Sequence, residues 1–151
     1  MQDKTKPTFD EARTLTRNVY SKAGQVAPFA LVDHPDGQKT YSLKGCCMLH
    51  ALEHLRRAIA EQGASCVVMT LSGLHAPKGS VEGQATIDKI VHNPATIPSA
   101  MIYVEDGACC ELWGTPLMVG AAQVDTLGEF DLYLNDARKL FGGLLPQRAA
   151  N

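Results

Sequence analysis

The run Gly45-Cys46-Cys47-Met48-Leu49-His50-Ala51-Leu52-Glu53-His54 sets two adjacent thiols ahead of two imidazoles four residues apart. A helix beginning near Cys46 would place both thiols at its N-terminus, where the dipole and unpaired backbone N–H groups favour thiolate. Those amides could also hold an oxyanion. A thiol nucleophile needs a base and a group that orients the base. Cys47 is the candidate nucleophile, His75 the candidate base and Asp106 the candidate orienting carboxylate, with Cys46, His50 and Glu105 as the binding residues around them.

These residues must be positioned by helices and strands that the pattern of the chain predicts. Thr8 and Glu11 have capping-box spacing, Ala12, Leu15 and Val19 share a helical face, and Gly24 can end that helix. Val26 to Val32 and Gln38 to Leu43 read as strands joined through Asp36-Gly37, with Pro28 pointing to an edge position. A helix over 46–62 would bury Met48, Leu52, Leu55 and Ile59 and stop at Gly63. Cys66 to Leu71 is a continuous apolar run, as for a central strand covered on both sides. A helix is expected over 81–92, a hairpin over 100–113 and a last helix over 127–141, while 117–124 fits strand or helix. The order α-β-β-α-β-α-β-β-(β)-α describes an α+β single-domain sandwich around a mixed β-sheet. Residues 1–7 and 146–151 are expected to be flexible, with one domain over 8–145.

Geometry extends this reading. A strand returning along the helix over 46–62 brings His75 back toward Cys46 and Cys47, and a right-handed crossover to a parallel strand brings Glu105 and Asp106 to the same edge. One rim of the sheet should therefore gather Cys46, Cys47, His50, His75, Glu105 and Asp106.

Three resemblances bear on that rim. Gly45 to Leu52 resembles the Gly-Asn-Cys-Leu-Phe-His-Ala-Leu type of segment around the nucleophile of ovarian-tumour-type cysteine proteases, which implies Cys47 in that role. Those proteases carry their catalytic histidine near the C-terminal end, whereas the last histidine here is His92. His50-Ala51-Leu52-Glu53-His54 resembles the inverted zincin motif, in which two imidazoles clasp zinc and the glutamate activates its water, and Glu129 falls where that family has a third ligand. Those enzymes are much larger, and Thr126 with Glu129 has capping-box spacing. The order of elements is similar to the core of JAB/MPN-type metalloproteases and the related RadC proteins. Their His-x-His-Pro is here Leu74-His75-Ala76-Pro77, which implies binding rather than metal hydrolysis.

Composition narrows the classes. A chain of 151 residues, 45% hydrophobic, can bury roughly 70% of its unfolded surface in a single core. Fourteen basic and sixteen acidic side chains give a formal charge of -2, so no positive field gathers nucleic acid. No segment has the roughly 20 apolar residues of a membrane span. Five cysteines, an odd number containing two adjacent pairs, read as reduced thiols in a cytoplasm. Cys109 and Cys110 fall in a strand, where neighbours face opposite ways and cannot readily grip one metal. Trp113 reads as a core or interface anchor, and Met101, Tyr103 and Leu112 could extend a sheet between subunits.

The expectation is a cytoplasmic, oligomeric binding protein with no cofactor, no metal and no nucleic-acid or membrane partner. Its partner would be an unidentified protein or small-molecule ligand at the sheet rim, and its self-association would give a homo-oligomer. One alternative is a cysteine-dependent hydrolase or acyl transferase using Cys47, His75 and Asp106; a second is a zinc hydrolase using the His-x-x-Glu-His segment.

Overall fold

The computed structural model describes residues 1–83 and 86–146, and the centre of the chain is a six-stranded sheet in the order β2-β1-β3-β4-β5-β8. The strands are β1 (Phe29–His34), β2 (Gly37–Ser42), β3 (Cys66–His75), β4 (Ile97–Asp106), β5 (Cys110–Pro116) and β8 (Asp131–Leu134). A separate small hairpin pairs β6 (Met118–Val119) with β7 (Ala122–Gln123), which resolves the ambiguous segment as strand. The helices are α1 (Lys6–Ala23), α2 (Met48–Gln62), α3 (Ile87–His92) and α4 (Arg138–Phe141). The fold is α+β.

The apolar run of β3 is central, and its alternation divides the core into two layers. Val67 and Met69 pack with Leu52, Leu55 and Ile59 of α2, while Val68 packs on the other face with Phe9, Ala12 and Tyr20 of α1. The buried stripe of α1 is therefore Phe9, Ala12, Thr16 and Tyr20, and Leu15, expected on that face, is exposed. Thr8 does not start α1. Its hydroxyl turns to Asp33 instead, and the N-cap position is Thr5. The hairpin at Asp36-Gly37 forms with Gly37 at φ 131°, a conformation open to glycine. Pro28 precedes β1, which is an interior strand, so the edge on that side is β2.

All ladders of the large sheet are antiparallel, with a single parallel bridge between Cys110 and Asp136. This corrects the parallel return expected for β4. A parallel crossover needs a connection that carries the chain back along β3, about 30 Å of strand. The helix in that connection, α3, has six residues and rises about 9 Å. It starts at a Thr86 cap rather than at 81, and residues 84 and 85 of the expected helix lie outside the described residues. The chain instead turns back, pairing His75 with Ile97 and Cys66 with Asp106.

The helix expected over 127–141 is also corrected. Its first part is the edge strand β8, and only Arg138–Phe141 is helical. Tyr133 explains the preference for strand: its ring lies over Gly114 of β5 and stacks on His75 at 3.7 Å between centroids and 10° between planes. With β5 covered by β8, Met101, Tyr103 and Leu112 are buried, so they cannot extend a sheet between subunits. Beyond Pro146 the expected C-terminal tail lies outside the described residues. No helix among the described residues is long and apolar enough to cross a membrane.

A Cβ at Gly114 would lie 2.1 Å from Cε2 of Tyr133. Gly114→Ala is expected to cost about 1–3 kcal/mol in urea denaturation, the range for overpacking, and to lose most of that cost in a Tyr133→Ala background.

Candidate functional site

The expected rim divides between the two ends of the sheet. Gly63, which ends α2, lies beside Pro35 in the β1–β2 turn, at the end of the sheet that holds Asp33. The fifteen residues of α2 rise about 22 Å away from there, so Cys46, Cys47 and His50 belong to the opposite end. His75 shares that end, since β3 runs nine register positions, about 30 Å, from Cys66 to His75. Glu105 and Asp106 lie across from Val67 and Cys66, at the other end. Asp106 therefore cannot orient His75, and the Cys47, His75 and Asp106 set does not assemble. The reason is the reversed strand: an antiparallel β4 exchanges the positions of its two ends.

What remains at the Cys47 end is dispersed. Cys46, Cys47 and His50 are exposed, and the Cys47 side chain caps no backbone amide. His75 is held against Tyr133, and burial lowers its affinity for a proton. His54 of the zincin-like segment packs edge-on against Tyr41. Glu129 adjoins Gly128 and Phe130, which contact α1, so it lies across the sheet from His50 and His54. Among the described residues no group of three or more His, Cys, Asp or Glu could hold a metal ion.

The end that holds Asp106 is more organised. Asp33 of β1 pairs with Cys66 of β3, which pairs with Asp106 of β4, so the three form one transverse row. Residues directly opposite in a ladder share a face, and the strands are about 4.8 Å apart, so roughly 10 Å separates the two carboxylate-bearing strands. This face is covered by α1. Its first turn supplies two hydroxyls: Thr5 donates to Oδ2 of Asp106, and Thr8 donates to Oδ2 of Asp33 at 2.7 Å. Asp106 also accepts the backbone N–H groups of Ala108 and Cys109 at 2.7 and 2.8 Å. Burial would raise the Asp106 carboxyl, but these hydrogen bonds outweigh it and hold the group below the usual aspartate range. Cys66, between the carboxylates, is pushed up to about 12 by burial and then by the charges of Asp33 and Asp106. It stays a thiol at neutral pH.

The opposite wall comes from the C-terminal segment. Glu105, fully buried, points to the α2 face, where it accepts the N–H groups of Leu144 at 2.8 Å and Leu145 at 3.0 Å and the hydroxyl of Tyr103 at 2.7 Å. Nη1 of Arg138 stands 3.7 Å from its other side. The guanidinium of Arg56 in α2 donates to the carbonyls of Phe141 and Gly143, fastening the same segment. Between the N-terminal and C-terminal segments lies a cleft of about 590 Å³, lined by Lys4, Thr5, Asp33, Ser65, Cys66, Asp106 and Arg138 among others.

Of the residues singled out in the sequence, Asp106 lines this cleft and Glu105 supports its wall. Sequence reasoning missed Thr5, Asp33, Cys66 and Arg138. The available signal was modest: Asp33 is the acidic residue that ends the apolar run Phe29–Val32, and Cys66 opens the most apolar strand. Comparison with known proteins gives no further guide, since no protein-family model, curated protein or solved structure matches this chain.

The thiols should differ sharply in native-state alkylation followed by mass spectrometry. Cys46 and Cys47 are expected to label first and Cys66 and Cys110 only on unfolding, and early labelling of Cys66 would contradict the cleft as described.

Asp106 should also leave a signature in pH-dependent stability. Its folded carboxyl binds protons more weakly than an unfolded aspartate at about 3.9, so its contribution is present above that pH and lost as pH falls through the lower folded value. Asp106→Asn is expected to cost about 1–3 kcal/mol at pH 7. The gap from the native chain should narrow below about pH 4 in urea titrations at stepped pH.

Proposed function

We propose that this chain is a non-catalytic binding domain that takes a small polar ligand in the cleft at the Asp33–Cys66–Asp106 end of the sheet. The carrying observation is the cleft itself: about 590 Å³, within the range of small-molecule sites, with hydroxyl, carboxylate, ammonium and guanidinium groups converging on one space. The groups at its floor are fixed by secondary structure and by hydrogen bonds from α1, the kind of preorganisation that lowers the entropic cost of binding. A thiol held up near 12 does not suit a nucleophile, which favours binding over covalent chemistry at this end. The cysteine-hydrolase alternative would need a carboxylate other than Asp106 beside His75.

Five free thiols, two of them exposed, suit a reducing compartment, and on that ground we place the protein in the cytoplasm. Self-association, the remaining part of the reading, would use a sheet edge left free, β2 or β8, and light scattering on the purified chain decides it.

The binding reading is tested by ¹H–¹⁵N spectra recorded against a library of small polar fragments. Hits are expected to shift the amides of Thr5, Ser65, Cys66 and Gly107 together, all of which border the cleft. Shifts that cluster elsewhere, or no saturable shift from any fragment, would remove this site.

A further inference from the structure

A second hollow lies on the α1 face, toward the His75 end of the sheet and away from the cleft. On this face of β3, Val68 and Thr70 are fully buried, but Ser72 is exposed and Leu74 is 48% exposed. The cover stops because α1 stops: the helix ends at Ala23, and Gly24 takes the left-handed conformation at φ 69°. A central strand is therefore left bare over its last residues. Val26, which leads into β1, bounds the hollow on one side, and Leu117 and Met118, which lead into the β6–β7 hairpin, bound it on the other. Tyr20 lines it from α1, Ser72 and Pro98 line it from the sheet, and its volume is about 380 Å³.

Hydrogen bonds fix these walls. The N–H of Leu117 donates to the carbonyl of Pro98 at 2.8 Å, and the hydroxyl of Tyr20 donates to the carbonyl of Val124 at 2.6 Å. The amide nitrogen of Gln123 donates to the Tyr20 oxygen at 3.0 Å and to the carbonyl of Gly24 at 2.8 Å, which ties the small hairpin to the end of α1. The lining contains no lysine, arginine, histidine, aspartate or glutamate. A charged group entering it would give up hydration and meet no opposite charge. A wholly apolar ligand would strip water from the Ser72 hydroxyl, which has no protein partner among the described residues, and leave it unpaired. Both hydrogens of the Gln123 amide are engaged, so what this side chain still offers is the acceptor Oε1. A hydroxyl on the ligand can meet either group, since it both donates and accepts.

We infer that this hollow binds an uncharged aromatic alcohol, with its ring between Val26 and Met118 and its hydroxyl at Ser72. The thioether of Met118 suits the edge of an aromatic ring. The volume is near the lower end of the range for small-molecule sites, which fits a body of about two fused rings. The site shares no lining residue with the cleft and does not depend on it.

Four probes with one ring body separate the possibilities: naphthol, naphthoate, naphthylmethylamine and methylnaphthalene, all substituted at the same ring position. In ¹H–¹⁵N titrations of the native chain, naphthol is expected to shift the amides of Gly24, Val26, Ser72 and Met118 together and to bind about tenfold tighter than either charged probe. Ser72→Ala, at an exposed position, should weaken naphthol about fivefold, the effect of one neutral hydrogen bond, and leave methylnaphthalene unchanged. Ser72→Phe should fill the hollow and abolish the shifts from every probe. A thermal melt confirms that each variant is folded. Naphthoate or naphthylmethylamine binding as tightly as naphthol overturns the inference, and so does a Ser72→Ala variant that keeps native affinity for naphthol. Shifts that survive Ser72→Phe, or silence from all four probes, overturn the site itself. None of these outcomes bears on the cleft, which the polar fragments test separately.

Discussion

Two consecutive carboxylates at the end of β4 hold the layers of this protein together. Successive residues of a strand face opposite sides, so Glu105 and Asp106 look into different halves of the molecule. Glu105 receives two amides of the C-terminal segment, and Asp106 receives the hydroxyl of Thr5 at the start of α1. A buried carboxylate left without partners costs several kcal/mol. Neither terminal segment can leave without exposing or orphaning one of these charges, which couples both chain ends to the centre of the sheet. The cleft is the gap between the two anchors, and its walls are ordered for the same reason that the fold is.

The sequence was most legible where periodicity was strong and a stop signal was close. The apolar run from Cys66, the Asp36-Gly37 turn and the α2 helix ending at Gly63 all reappear within a few residues of their expected bounds, with Leu52, Leu55 and Ile59 buried as expected but Met48, at the first turn, exposed. Legibility failed where two periods fit. Phe130, Leu134, Ala137 and Phe141 are spaced like a helical face, yet Asp131–Leu134 also alternates, and the decision lies in the seat that Gly114 offers Tyr133. That contact is tertiary and leaves no trace in local pattern. The α1 face shifted for a related reason: Thr16, buried on the inner side, carries a hydroxyl that a hydrophobic count overlooks, whereas Leu15 carries the apolar mass and faces out.

The candidate rim failed through one sign. Every residue assigned to it lies at an end of the sheet, but the direction of β4 decides which end, and reversing it moves Glu105 and Asp106 by the whole length of the strand. The direction depends on whether the 76–96 connection contains a helix long enough to make a crossover, and a six-residue helix does not suffice. Conspicuous chemistry in a sequence, such as Cys-Cys followed by two histidines, says nothing of that length. The residues that do meet, Asp33, Cys66 and Asp106, are individually ordinary and become a unit through register alone.

Register also explains why the buried thiols serve the charges instead of competing with them. Cys110 lies opposite Glu105, and its thiol donates to the Tyr103 oxygen at 3.0 Å while the Tyr103 hydroxyl donates to Glu105 at 2.7 Å. Burial raises both Cys110 and Tyr103, so each keeps its proton at neutral pH and the chain of donors points toward the carboxylate. A thiolate at Cys110 would be opposed by the charge of Glu105 and would reverse the direction of that chain. Cys66 stands in the same relation to Asp106 on the other face, with Asp33 adding a second charge. In both places the negative charge belongs to the carboxylate that anchors a chain end, and the neighbouring sulfur acts as a small, protonated core atom. Burial first, and the carboxylates at the end of β4 in addition, therefore keep Cys66, Cys109 and Cys110 as thiols, and the exposed cysteines are Cys46 and Cys47, outside both layers of the core.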